Sequence, residues 1–131
     1  MSQENVEIVR VAFEAAYRRD WDRVFEEATR DFELDLSRGV GPDSGVYRGA
    51  QAKQIWSDFG EHWASWRIES REFIDAGEHV VVTLTSSLRG RDGIEVEAEV
   101  VFTFTVREGK LARMAYYPTR KDALEAVGRR E

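Results

Sequence analysis

Apolar residues at Val6, Val9, Phe13, Ala16 and Tyr17, widened by Ile8 and Ala12, recur with the period of an amphipathic helix. Ser2 is placed to cap it, and Glu4 and Glu7 put negative charge in the first turn, where the helix dipole favours it. Asp20 then caps a short second helix whose apolar face is Trp21, Val24, Phe25 and Ala28. From Asp31 to Leu36 the period drops to two, which predicts a strand with Phe32, Leu34 and Leu36 on its inner face. Ser37 to Gly45 holds three glycines and a proline and reads as a loop. After Tyr47-Arg48-Gly49, the spacing of Ala52, Ile55, Trp56, Phe59 and Trp63 predicts a third helix ending near Ala64.

Beyond Trp66 the period of two persists. Arg67 to Asp75, His79 to Arg89, Ile94 to Val106 and Leu111 to Tyr117 read as an antiparallel meander broken at glycine-containing turns. Arg107-Glu108-Gly109 fits a three-residue hairpin loop, which pairs Val106 with Lys110, Phe104 with Ala112, Phe102 with Met114 and Val100 with Tyr116 on one apolar face. Glu95, Glu97, Glu99, Thr103 and Thr105 then occupy a polar outer face, with Arg113 opposite Thr103. Thr119 and Asp122 form a capping box for a last short helix, stopped at Gly128. No internal repeat or boundary divides the chain, so 1–131 reads as one domain.

Composition narrows the class. With 42% hydrophobic and 34% charged residues over 131 positions, the chain can bury roughly two-thirds of its unfolded surface without a disulfide or structural metal. Having no cysteine, it has no thiol nucleophile and no thiolate metal site, and a reducing, cytoplasmic setting is expected. No apolar run reaches membrane-spanning length, and Met1 to Asn5 lacks the features of a signal peptide. A net charge of -6 repels phosphate backbones, so neither nucleic acid nor membrane is an expected partner. His62 and His79 stand far apart with no third ligand at a useful spacing, and His79 reads as exposed. Neither metal nor cofactor is expected, and there is no phosphate-binding glycine loop or Ser-His-Asp order.

The element order, with Asn5-Val-Glu-Ile-Val-Arg10, Asp20-Trp-Asp22, Asp31-Phe-Glu33, Tyr47-Arg48-Gly49, Glu72-Phe-Ile-Asp-Ala-Gly77 and Arg107-Glu-Gly-Lys110, resembles the SnoaL-like, ketosteroid-isomerase-like branch of the nuclear transport factor 2-like superfamily. The tail, with Arg113-Met114, Tyr117, Arg120 and Ala123-Leu124-Glu125-Ala126, is similar to a subgroup of largely unassigned function. The resemblance implies an α+β fold: a cone-shaped barrel of strongly bent antiparallel sheet, packed against three helices of the N-terminal half, with a short C-terminal helix. It implies an apolar pocket and a homodimer formed through the outer sheet face. It also implies acid and base positions, and these fall on Ala12, Leu36 and Phe102, with Tyr116 where polyketide cyclases carry an aspartate.

Tyr17, Leu34, Leu36, Trp56, Phe59, Trp63, Phe102 and Met114 are the expected lining for a small apolar ligand. Asp35 is the acid nearest a family base position, but faces the opposite side of a regular strand unless a bulge turns it. His62 is a second candidate base, and the Tyr116 hydroxyl could polarise a carbonyl. Two readings follow: a cofactor-free isomerase, cyclase or dehydratase using these three, or a ligand-binding or structural dimer domain without the family's acid and base residues. Isomerase activity on a 3-oxo-steroid is not expected.

Overall fold

A computed structural model describes residues 2–39 and 44–128. The Ser2 side chain, expected to cap the first helix, and the centre of the 37–45 loop lie outside the described residues. The elements run α1 (Ser2–Tyr17), α2 (Trp21–Glu26), β1 (Ala28–Asp35), β2 (Val46–Arg48), α3 (Ala50–His62), β3 (Ser65–Ala76), β4 (His79–Arg89), β5 (Glu95–Arg107), β6 (Lys110–Tyr117) and α4 (Arg120–Ala126). Both capping expectations hold: Asp20 Oδ1 accepts from the Arg23 amide at 3.2 Å, and Thr119 Oγ1 from the Asp122 amide at 3.0 Å. Among the described residues no helix is long and apolar enough to cross a membrane.

The fold is α+β, with one six-stranded sheet in the order β2-β1-β6-β5-β4-β3. The sheet is not closed, and it is not wholly antiparallel, because β1 runs parallel to β6. The three-residue strand β2 pairs antiparallel with β1 inside the stretch that reads from the sequence as a helix lead-in. Strand register shifts beside Arg71 in β3 and Ala112 in β6, and such extra residues bend and twist a strand.

The β5–β6 hairpin corrects the expected pairing. Its loop is the two residues Glu108 and Gly109, with φ of 51° and 77°, the backbone of a type I′ turn. Arg107 therefore pairs with Lys110, and the extra residue at Ala112 moves the register again. Phe104 lies opposite Met114, Phe102 opposite Tyr116, and Arg113 opposite Thr105. The displacement is an even number of residues, so the apolar side chains keep their face. Strand β6 ends at Tyr117 opposite Val101, which leaves 95–100 of β5 hydrogen-bonded to β4 alone among the described strands.

Two cores share the sheet. Val9 and Ala12 of α1 and Ala52 of α3 pack with Phe32, Leu34, Val80, Val82 and Phe104 on the inner face. Ala123 and Leu124 of α4 pack with Val81, Val101, Ala115 and Tyr117 on the outer face. Consecutive residues Val80, Val81 and Val82 are all fully buried, because β4 is covered on both sides. The outer face is thus not uniformly polar and solvated as its alternation suggests. Thr103 and Thr105 are buried, whereas Glu95, Glu97 and Glu99 are exposed. His79 is half-buried rather than exposed, with Nδ1 3.0 Å from Thr105 Oγ1.

Candidate functional site

On α1 the side chains directed at the sheet include Ala12 and Ala16, one turn apart and too short to reach it. The space they leave is a cavity of about 380 Å³. Phe13, Trp21, Val24 and Phe25 close it from the first two helices, and Ile55, Trp56 and Phe59 from α3. The sheet contributes Phe32 and Leu36 from β1 and its end, Trp66 and Ile68 from β3, Leu84 and Ser86 from β4, Val100, Phe102 and Phe104 from β5, and Leu111, Met114 and Tyr116 from β6.

One end is a tryptophan cluster. Trp21, Trp56 and Trp66 lie near parallel, with centroids 6.0 to 6.4 Å apart and interplanar angles of 13° to 23°. Phe59 sets its edge on Trp66 at 4.9 Å, and Phe102 sets its edge on Trp56 at 6.1 Å. Such pairs contribute about 1 kcal/mol each beyond their buried area and hold these walls in place. Trp66 Nε1 donates to Ser86 Oγ at 3.1 Å. Phe102 also meets the Tyr116 ring, which lies against Gly39 at the start of the loop.

Of the expected lining, Leu36, Trp56, Phe59, Phe102 and Met114 border this cavity, as does Tyr116. The others do not. Tyr17 ends α1 with half its surface in solvent, and Leu34 is fully buried in the packed part of the inner core. Trp63 has left the helix for extended backbone and rests against Phe59 outside the cavity. His62, in the last turn of α3, is exposed and away from the lining. Ser86 and Ala16 also border the cavity although neither belongs to the expected lining, and Ala12 borders it at a position the family resemblance implies for a polar group. A serine ending the row Val80, Val82, Leu84, Ser86 was the available signal.

Asp35 is buried on the opposite side of the sheet. Its neighbours across the strands are Ala115 and Val46, and the irregularity in β1 falls between Ala28 and Glu33, too early to turn it inward. Its Oδ1 accepts from the Ser37 amide at 3.0 Å and the Ser37 hydroxyl at 2.5 Å. Its Oδ2 accepts from Arg113 Nη2 at 2.6 Å and Arg38 Nη1 at 3.1 Å. Burial pushes this carboxyl up, but the Ser37 hydroxyl and amide and the Arg38 guanidinium outweigh it and hold it below the ordinary aspartate value. Arg113 also reaches Glu33 at 2.8 Å, and Arg48 joins Glu33 at 2.9 Å. Such a carboxylate, acidic and fully engaged, is a structural anion rather than a poised base.

Residues 9–114 match the SnoaL-like domain family. The chain belongs to that family. Its fold is shared with solved structures of low sequence identity. TerC, crystallised with polyporic acid, is 23% identical over 95% of this chain and 98% of its own, with a TM-score of 0.78. An NTF2-like protein from Burkholderia xenovorans LB400 is 27% identical over 97% and 98%, with a TM-score of 0.74. A candidate polyketide cyclase from Sinorhizobium meliloti is 19% identical over 85% and 94%, with a TM-score of 0.71. No curated protein matches the chain. In this SnoaL-like domain the positions implied for the family's acid and base residues, Ala12, Leu36 and Phe102, all border the cavity, and all are apolar.

Proposed function

We propose that this SnoaL-like domain binds a small apolar molecule in the cavity between its helices and the inner sheet face. The observation that carries the reading is the lining itself: among the described residues it contains no carboxylate, imidazole, amine or guanidinium, while its volume falls within the range of small-molecule sites. Of the three candidate proton-handling groups only the Tyr116 hydroxyl borders the cavity, and the two candidate bases, Asp35 and His62, lie elsewhere. Saturable one-to-one uptake of a naphthalene ketone in equilibrium dialysis, lost when Ala16→Phe fills the cavity, is the expected result. No saturable uptake by the unaltered protein would sink this reading.

The second reading is a cofactor-free isomerase, cyclase or dehydratase. Its support is the Tyr116 hydroxyl, which can polarise a carbonyl, together with the candidate polyketide cyclase among the structural neighbours. It predicts turnover of an enolisable ketone that falls at least tenfold in Tyr116→Phe, and turnover indifferent to that change removes Tyr116 from any mechanism. A homodimer through the open, charged half of the outer face is the arrangement we propose for the assembly, with sedimentation velocity as its test.

A further inference from the structure

Residues 91–99, which take in the first part of β5, are all exposed. Strand β6 stops short of them at Tyr117, opposite Val101, and the residue that follows, Pro118, has no N–H to add to the ladder. From Glu95 to Glu99 both faces and one edge of the strand are therefore open among the described residues, with β4 along the other edge. Folded sheets commonly cover, shorten or charge such an edge. This one is charged, and on one face only.

The outer face carries Glu95, Glu97 and Glu99, spaced by about 7 Å along the strand. Arg89 Nη2 lies 3.1 Å from Glu95, Arg71 Nε 4.0 Å from Glu99, and the Ser87 hydroxyl donates to Glu97 at 3.4 Å. All three partners stand on β4 and β3, on the paired side of the row. The inner face is apolar. Val96 is 45% exposed and Ile94, just before the strand, 62%, with Ala98 exposed as well. Val96 lies opposite Leu88, and Leu88 opposite Trp66, so this strip runs on from the cavity wall.

We propose that 95–100 of β5 is a docking edge for an extended segment of another protein, in which basic and apolar residues alternate. Added as a seventh strand, such a segment pairs its backbone with the free N–H and C=O groups of β5. Its basic side chains then stand opposite the three glutamates, and its apolar ones opposite Val96 and Ala98. A second copy of the same edge offers carboxylates where the row calls for cations. The proposal is independent of what the inner cavity binds.

Fluorescence anisotropy of the whole protein with a labelled six-residue peptide of alternating lysine and valine tests it, against a peptide of the same composition with its lysines in one block. The alternating peptide is expected to bind at least tenfold more tightly than the block, and to slow amide hydrogen exchange in 95–100 at least fivefold. The variant E95K/E97K/E99K, altered only at exposed positions, is expected to release that peptide and take up one of alternating glutamate and valine, a reversal that misfolding would not produce. Equal binding of the alternating and block peptides reduces the row to unspecific charge attraction and overturns docking as a strand. No binding of the alternating peptide, or binding without protection of 95–100, overturns the site. Protection of 95–100 in the peptide-free protein, together with a dimer in sedimentation velocity, gives the edge to a second copy and overturns the proposal as well.

Discussion

Leu34, Asp35 and Leu36 are adjacent in the chain and meet three different environments. Leu34 is packed solid in the inner core, Asp35 anchors arginines on the outer face, and Leu36 borders an open cavity. The same contrast runs across the whole sheet. Its inner face carries aromatic walls without charge, while its outer face carries Glu33, Asp35, Arg113 and Arg48 as a linked ionic group, with α4 laid beside it. Strand alternation alone separates the two, so a shift of one residue decides whether a carboxylate is machinery or mortar.

The largest test of the contrast sets Leu34 against Leu36. Leu34→Ala should cost about 4 kcal/mol, because the surrounding core cannot collapse onto the gap. Leu36→Ala should cost about 1 kcal/mol, since its side chain already borders empty space. Urea unfolding measures both, and equal losses would mean that the cavity is closed in solution. Next comes Arg113→Met, which strips the strongest cation from Asp35 and Glu33. A buried pair broken on one side costs about 3 kcal/mol or more, reduced here to about 2 because a third of the Arg113 side chain is exposed. A melting temperature within a degree of the unaltered protein would show that Arg38 and Ser37 suffice.

Smaller still is Thr119→Ala, which removes the cap of α4 and should cost about 1 kcal/mol, lowering the melting temperature while leaving ligand uptake in the inner cavity intact. Loss of uptake would show the two faces to be coupled. The subtlest difference is in acid. A carboxyl held below its ordinary value stabilises the fold fully above the unfolded-chain value of about 3.9 and loses that contribution as pH falls through its lower folded value. Melting temperatures followed from about pH 6 to about pH 2 should therefore fall less steeply in Asp35→Asn than in the unaltered protein. Parallel curves would show that other carboxylates carry the acid sensitivity.

Periodicity was enough for the four helices and five of the strands, because each has one face that must be buried and one that need not be. It missed β2, whose three residues are too few to display a period. It also mistook the hairpin loop, since Glu108 takes a positive φ that its side chain does not advertise. Asp35 could be placed on the outer face by counting from Leu34 and Leu36, but its bonds to Arg113 and Arg38 depend on a parallel neighbour and a turn that alternation does not reveal. Tyr17 illustrates the opposite error: it continues the apolar stripe of α1, yet the helix ends there and leaves it half in solvent. The cavity was hardest to read, because an empty space is written as small residues, Ala12 and Ala16, whose meaning depends on what stands across from them.

Among the described residues the early end of β6 leaves 95–100 of β5 with an open rim of backbone donors and acceptors, the kind of template on which chains add to one another. Two copies meeting there antiparallel have two choices of alignment. One sets Glu95, Glu97 and Glu99 against the same acids of the other chain, and the alternative, one residue along, seats each acid beside Val96 or Ala98 and turns one sheet over relative to its neighbour. The first is destabilised by like charges directly opposite one another, and the second sets carboxylates against apolar side chains. The alternation of acid and small apolar residue that reads as an ordinary surface strand therefore also works against edge-to-edge addition of a second copy.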